Sequence, residues 1–442
     1  GFKRTQLEYL VHPLPLSMAS CAYDYGALGK SEERKYILQM VQSCKKSSDA
    51  SASLFSSREQ DAVVDALAFG QEFLREKKGT PGHPKRSATS LREVGRFLQI
   101  VSFFRERYYV LWNDAIKRET RLYGHSYKVT PKDVKEKSLL LAFAHCYAVQ
   151  LSQKERRQYW LGLRSKWAVE CILPRHPYGD DYPTQVNHIQ KDLLGKFVLP
   201  DEIVLNHALC ENVFTMITCI FNRLPLIIVG QPGSSKTLAM RLIRDNFSQN
   251  SKAKFFSRWD SVEVVPFQCS PLSRAEGIER TFILAQKKQK LAQDSSRNII
   301  CVVLLDEVGL AEQSPHRPLK VLHRLLEPTH EERENQVACI GLSNWRLDQA
   351  SMNRTTFLFR VPPTCEELAR FTSGIVGEGM LVHIKWGWSP KGAISLLLLY
   401  FFIDRSRLTG LSLAPLSFHP SNLRFFPRDC FGVSKGGGTS ER

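Results

Sequence analysis

Paired cysteines are the first thing missing. The chain holds 11 Cys in 442 residues, yet they fall singly from Cys21 to Cys430 and no two stand at C-x-x-C spacing. That argues against a structural zinc site built on such pairs and against a secreted disulfide framework, and a reducing, cytosolic setting is the expectation. No basic stretch followed by an apolar one and a small-residue cleavage site opens the sequence, so no secretory signal is read there. A long greasy span is missing too. The most apolar run, AISLLLLYFFI at 393–403, is about half the length that crosses a bilayer, so no transmembrane segment is expected. Acid is scarce relative to base: 61 Lys and Arg against 44 Asp and Glu leave a formal charge of +17. Such a balance suits nucleic acid, an acidic partner or an anionic membrane face, and it says little about fold.

What is present is organised in three stretches. Residues 1–110 read as mostly helical, with apolar periodicity in EERKYILQMVQSC and DAVVDALAFGQEFL. KKSSDASASLFSS reads as a Ser-rich loop between them, and KKGTPGHPKRSATS (77–90) as a second loop. Ser90 should cap the long amphipathic helix LREVGRFLQIVSFFRERYYVLW, and a further helix is expected at 132–152. PRHPYGDDYP (174–183) reads as a linker. From 196 to 362 strand and helix alternate, with apolar runs at 224–229, 262–269, 299–305, 337–343 and 357–361. Continuous apolar runs of that kind are buried parallel strands, so the segment reads as a doubly wound α/β domain. Residues 405–442, Gly- and Ser-rich at the end, are expected to be largely disordered. Two runs interleave Arg and Lys with aromatics, at 105–121 and 153–167; both read as solvated or packed helix faces, with a nucleic-acid groove as the alternative.

The stretch LIIVGQPGSSKTLAM (226–240) is an apolar strand running into a Gly-rich turn and then Lys-Thr. Gly230 ends the strand, and Gly233 stands where backbone must approach a phosphate closely. The amides of 233–237 would then point into one concavity at a helix N-terminus, where the dipole favours anions. Lys236 would reach the β- and γ-phosphates and the Thr237 hydroxyl would ligate Mg²⁺. The phosphate-binding set is Gly230, Gln231, Pro232, Gly233, Ser234, Ser235, Lys236, Thr237 and Leu238. Ser235 departs from the general pattern G-x-x-x-x-G-K-[ST], which has glycine there. A helix first-turn position with negative φ would tolerate the serine. The plain alternative is a capped helix after a buried strand, with no ligand.

Two more strand ends add chemistry. IICVVLLDEVGL is an apolar strand closing on Asp306-Glu307. Asp306 would hold Mg²⁺ through a water and Glu307 would polarise an attacking water; alone, the pair reads as a solvated strand end. VACIGLSNWRLDQASMNRTTF closes a strand on Ser343-Asn344, where the Asn344 carboxamide would orient that water. Arg354, after a short helical stretch, is the candidate arginine finger toward a neighbouring module's nucleotide. A surface salt bridge is the alternative, and Arg346 and Arg360 compete for the role. In SPHRPLKVLHRLLEP, Pro318 suits a helix first turn and Leu319, Leu322, Leu325 and Leu326 form one apolar stripe, which reads as core-facing.

Phosphate loop, strand-Asp-Glu, strand-Asn and a later Arg is the order found in AAA+ ATPases. Within that class GQPGSSKTLAM, FQCSPLSRAEGI, LLDEVGLAEQSPHRPLKVLHRLLEP and GLSNWRLDQASMNR resemble the mysterin family, giant AAA+ proteins that are also RING-type E3 ubiquitin ligases. The resemblance is strong over 195–372, and that family's loop carries Gly-Ser-Ser-Lys. YLVHPLPLSMASCAYDYGAL and SLREVGRFLQIVSFF resemble the end of one AAA+ module and its helical lid, which would make Arg92 a sensor-2 type residue. In this chain alone, pairing with Glu93 or solvent is the alternative for Arg92.

The resemblance implies an α/β P-loop AAA+ core with a parallel sheet, preceded by an all-α lid-like region. It divides the chain into a lid remnant (1–130), a helical connector and linker (131–195), a nucleotide-binding core (196–375) and an atypical, disordered tail (376–442). ATP and Mg²⁺ are the implied cofactors. Neighbouring AAA+ modules of the same longer chain and the ubiquitination machinery are the implied partners, in the cytosol and at lipid droplets. A Gly in first position fits a piece of a longer protein. No RING is read in this chain, and the tail departs from the family where a second lid would follow. An ATP-holding scaffold without turnover and a basic nucleic-acid-binding ATPase are the rival readings.

Overall fold

The computed structural model describes residues 15–21, 23, 28–46, 49–78, 89–106, 131–165, 172–173, 181–200, 203, 205–249, 251, 253–257, 259–295, 298–327 and 335–360. The expected disordered tail (376–442), the apolar run at 393–403 and most of the basic run at 105–121 lie outside them.

The helical part opens with α1 (Lys30–Ser43). Where the Ser-rich stretch reads as a loop, the chain forms a small antiparallel hairpin, β1 (Lys45–Lys46) with β2 (Asp49–Ser53). Its ends are pinned by Leu54 and Phe55: both are buried, and the Leu54 amide donates to the Cys44 carbonyl at 3.1 Å. The backbone between is thereby brought side by side and pairs. Next come α2 (Ser57–Lys78) and α3 (Leu91–Glu106). Ser90 caps α3 as expected: its amide and hydroxyl both donate to the Glu93 carboxylate, at 2.7 and 3.1 Å.

Among the described residues α3 is followed by α4 (Pro131–Cys146), α5 (Gln153–Arg164) and α6 (Tyr182–Leu194). The expected linker thus gives way to helix at Tyr182. Asp181 accepts from the Thr184 amide at 2.9 Å and Pro183 stands in the first turn, two helix-start signals set inside a Gly- and Pro-rich stretch. In α7 (His207–Phe221) every residue from Leu209 to Ile220 is buried. Such a helix must be covered on all sides. The Phe104 ring of α3 stacks on Phe214 of α7 with centroids 5.7 Å apart, so the helical part packs directly on the helix that leads into the sheet.

The sheet contains β3 (Leu226–Val229), β4 (Ser261–Gln268), β5 (Ile299–Asp306), β6 (Ala338–Ser343) and β7 (Thr356–Phe359). Their order is β4-β5-β6-β3-β7 and every pair is parallel. The strands agree with the apolar runs of the sequence to within a few residues. Between them run α8 (Lys236–Asn246), α9 (Ala275–Asp294), the short α10 (Val308–Glu312), a 3-10 turn at Pro318–Val321 leading into α11 (Leu322–Leu325), and α12 (Gln349–Arg354). One core cluster joins Val265, Val303 and Leu305 of the sheet to Ile278, Phe282 and Ala285 of α9. Leu319, Leu322 and Leu326 join the same cluster and Leu325 packs against it, the apolar stripe expected after Pro318. Because all five strands run the same way, their carboxyl ends share one edge, where open α/β sheets bind ligands.

Candidate functional site

Three strand ends meet on that edge. In the register of the sheet, Val229 at the end of β3 lies beside Ser343 of β6, and Gln268 of β4 lies beside Asp306 of β5. The Gly230 amide donates to the Ser343 carbonyl at 3.0 Å, which ties the start of the loop to the strand that delivers Asn344.

The loop wraps a lysine. Lys236 opens α8 with its side chain folded back, 8% exposed. Its Nζ donates to the carbonyls of Gly230 (2.5 Å) and Gln231 (3.0 Å), to Ser234 Oγ (3.2 Å) and to Asn344 Oδ1 (3.2 Å). Burial pulls its pKa down, with Asp306 acting weakly the other way. Gln231, Pro232 and Gly233 are exposed, Ser234, Ser235 and Leu238 are half-buried, and Thr237 is exposed on the first turn of α8. Gly233 has φ +82° and a Cβ added there would meet nothing within 4 Å, so the loop presents bare backbone to open space.

Ser235 corrects the reading made from the sequence. It is the N-cap of α8 rather than a first-turn residue, and its φ is +59°, in the left-handed region. The loop demands at this point the conformation that glycine adopts freely, and the serine adopts it at a steric cost of about 1 kcal/mol. Glu307 shares the trait at φ +53°, capping α10. Strained residues of this kind concentrate at functional sites.

Asp306 is half-buried and accepts from the Glu307 amide at 3.0 Å, while Glu307 itself is exposed. Gln268, which sequence reasoning passed over, donates from Nε2 to the Glu307 carboxylate at 3.1 Å. Its only signal was its place at the end of the strand next to Asp306. Asn344 meets the loop through Lys236. Arg354 is engaged elsewhere: half-buried at the end of α12, it faces Glu327 with Nε 3.6 Å from the carboxylate. The same carboxylate takes Arg92 at 2.8 Å, so Arg92 pairs across the molecule and not with Glu93, whose partner is Arg96 at 3.3 Å. Arg96 also donates to the Thr355 carbonyl at 3.1 Å, just beyond Arg354.

The two arginines that competed with Arg354 are also placed. Arg346 lies over the Phe359 ring, 4.4 Å from its centroid. Arg360 is buried behind the phosphate loop, bound to Glu211 and Asn212 of α7. In α5, Tyr159, Trp160 and Leu163 are buried and Arg156 turns inward to Glu211, so this basic-aromatic run packs against the protein as a helix face.

Comparison with known proteins places this edge in a family. Residues 202–367 match the family described as the RNF213 AAA domain. The chain belongs to the RNF213 family. It is 35% identical over 389 residues to the E3 ubiquitin-protein ligase RNF213 of Mus musculus, covering 86% of this chain and 7% of that protein. The E3 ubiquitin-protein ligase rnf213-beta of Danio rerio gives 34% over 386 residues, and RNF213 of Homo sapiens 33% over 388, with the same 86% and 7% coverage. The chain therefore spans about 7% of the length of these relatives. The resemblance to mysterins read from GQPGSSKTLAM and its companion segments is this same family, and the parallel sheet with helices around it is its AAA domain. Among the described residues no helix is long and apolar enough to cross a membrane.

Proposed function

We propose that the chain binds ATP at the carboxyl ends of β3, β5 and β6 and hydrolyses it, as one AAA+ module of a longer E3 ubiquitin-protein ligase of the RNF213 kind. The observation that carries this reading is Lys236, a buried ammonium shared among four neutral oxygens, one of them on Asn344. A buried charge without a counter-charge is unfavourable, and a phosphate in the open concavity beside Gly233 would supply one. The backbone from Gly230 to Leu238 would cradle the phosphates, with the exposed loop amides and the dipole of α8 aimed at them.

Thr237 and Asp306 are the residues that would hold Mg²⁺, which when bound neutralises charge on the β- and γ-phosphates. Glu307 would polarise the attacking water and Asn344 would orient it. Gln268 restrains the Glu307 carboxylate, so release of that hydrogen bond would precede proton transfer. Arg354 would serve a neighbouring module's nucleotide after leaving Glu327, which links the nucleotide state to motion between modules. In the same reading residues 1–130 are the lid remnant of a preceding module, 131–195 the connector, 196–375 the nucleotide core and 376–442 an atypical tail. Ubiquitination machinery as a partner, and a cytosolic or lipid-droplet setting, belong to the same proposal and rest on the family resemblance.

A second reading, a scaffold that holds ATP without turnover, is favoured by the engaged positions of Glu307 on Gln268 and Arg354 by Glu327. Calorimetry and phosphate release test both. Wild type should bind ATP in the presence of Mg²⁺ and Lys236→Ala should not; equal binding by the two overturns the site. Glu307→Gln should bind ATP and release no phosphate. Wild-type binding with no phosphate release would select the scaffold.

A further inference from the structure

Behind the loop at 230–238 stands a set of buried polar and charged side chains. Asn212, in the fully buried helix α7, donates from Nδ2 to the Ser234 carbonyl at 2.9 Å. Its other amide atom, Oδ1, accepts from Arg360 Nε at 2.7 Å, which fixes which way the carboxamide faces. The rest of the Arg360 fork is spent on α7 as well: one terminal nitrogen donates to Glu211 at 2.5 Å and the other to the Ala208 carbonyl at 2.8 Å. Arg360 reaches this place because Gly230 has no side chain; a Cβ at Gly230 would lie 2.6 Å from Arg360 Cβ.

The assembly continues past α7. Glu211 offers its second oxygen to Arg156 of α5, 2.8 Å away. Arg156 in turn donates to the carbonyls of Leu151 (3.0 Å) and Val149 (3.2 Å), in the turn that joins α4 to α5. Burial alone would push the Glu211 carboxyl up, but the charges of Arg156 and Arg360 outweigh it and hold its pKa at about 2. The carboxylate is therefore ionised at any physiological pH, so both arginines keep a charged partner. Its two ends differ in freedom. Asn212 is fully buried, whereas a cavity of about 260 Å³ opens against Arg156 and Glu211.

We propose that Arg360, Glu211 and Asn212 are positioning residues for the phosphate loop, and that Arg156 couples their arrangement to the helical segment α4–α5. The route runs from the Leu151 carbonyl through Arg156, Glu211, Arg360 and Asn212 to the Ser234 carbonyl. A shift of the α4–α5 turn then alters where the loop's amides point. This rests on the reading of the loop as a nucleotide site for its purpose, but not for its test.

Hydrogen exchange on the full chain without nucleotide reads the loop directly. Arg156→Met leaves Glu211 paired with Arg360 and should preserve the fold, yet exchange in a peptide covering 230–238 should quicken about fivefold, with strand peptides in 299–306 unchanged. Asn212→Ala should quicken the same peptide about tenfold, as the loss of one buried hydrogen bond allows. Wild-type exchange of 230–238 in Arg156→Met overturns the coupling, whether or not the chain binds ATP. In titrations, Arg156→Met should weaken MgATP and leave adenosine affinity unchanged, because only the phosphate cradle is disturbed. Equal weakening of both would mark Arg156 as merely structural and overturn the proposal. If wild type binds no ATP while the loop still loosens in Arg156→Met, the coupling stands and the nucleotide reading falls.

Discussion

The phosphate loop is held from two sides, and the two sides are made differently. In front, Lys236 spreads a single charge over four neutral oxygens, next to bare backbone at Gly233. Behind, Arg360, Glu211 and Asn212 form a set in which charge meets charge and each Arg360 nitrogen has an acceptor. In the function proposed above, the front would exchange its partners for an anion. The back already has its partners, and in the positioning role proposed above it keeps the loop in shape. A loop that must bind and release needs both, since a cradle that collapses between ligands would lose affinity to reordering.

Breaking each side should therefore give opposite phenotypes. Arg360→Ala leaves Glu211 hydrogen-bonded to Arg156 and takes the donor from Asn212 Oδ1, while Asn212 Nδ2 still donates to the Ser234 carbonyl. We expect a loss of about 3 kcal/mol of unfolding free energy, the scale of breaking a buried ion pair. Lys236→Ala removes a buried, poorly compensated charge and should change stability by less than about 1 kcal/mol, while nucleotide binding disappears. Urea titrations of both variants beside calorimetry make the comparison. If Arg360→Ala unfolds at the wild-type midpoint, the back of the loop is not structural.

The glycines divide along the same line. At Gly230 an added methyl would stand 2.6 Å from Arg360 Cβ, an atom fixed by its own backbone, and 2.9 Å from Ser234 Oγ. Gly230→Ala should cost about 2 kcal/mol through overpacking, visible as a lower thermal midpoint. Gly233→Ala meets open space, so only its positive φ resists, at about 1 kcal/mol. Gly230→Ala should be the more damaging of the two to the fold, and the reverse order would show that the packing against Arg360 yields easily.

The same contrast explains what could be read from the sequence. The front of the candidate site is local: Gly230 to Thr237 lie in one run, Asp306 ends an apolar strand and Asn344 directly follows one, so pattern and spacing bring them forward as candidates. The parallel sheet was legible for the same reason, each strand being a self-contained apolar run. The back is non-local. Glu211 and Arg360 are about 150 positions apart in sequence and meet only because β7 pairs with β3 and α7 packs against β3. One signal existed, the adjacent pair Glu211-Asn212 inside the largely apolar helix HALCENVFTMITCIF, where buried polar groups require partners. Arg360 in an apolar strand end was the complementary signal, and weighing it as an arginine finger missed that pairing. The start of α6 at Tyr182 was hidden because Pro, Gly and Asp serve both linkers and helix starts.

Acid separates the back of the loop from its surroundings. His145 is buried at 3.4 Å from Cys219 Sγ, and burial lowers its pKa to about 4 despite the nearby Glu211. Its folded pKa lies below the ordinary value of 6.5, so the unfolded chain takes up the proton first as pH falls. Stability from this group is complete above 6.5 and declines from there down to about 4, by about 2 kcal/mol at pH 5. The Glu211 carboxyl, held at about 2 instead of 4.5, contributes above 4.5 and loses its share only as pH drops from there toward 2. Denaturation between pH 7 and 5 should thus weaken wild type and flatten in His145→Gln, with the Arg360–Glu211 pair intact throughout. An unchanged slope in His145→Gln would show that His145 is not the group responsible.

The smallest expected effect is at the seam between front and back. Ser235 carries φ +59°, next to Ser234, whose carbonyl is anchored by Asn212, and Lys236, which faces the site. Ser235→Gly removes the left-handed strain, worth about 1 kcal/mol, but adds backbone entropy to the unfolded chain that offsets about half or more of it. The net change in unfolding free energy should be a gain of at most about 0.5 kcal/mol, the strain relief less that entropy. MgATP affinity should stay within about twofold of wild type, because the amides keep their directions and the difference is under about 0.5 kcal/mol. A larger fall in affinity without loss of stability would mean that the Ser235 hydroxyl itself meets the ligand. The serine would then be a contact added to the loop, and the strain it carries would have a functional return.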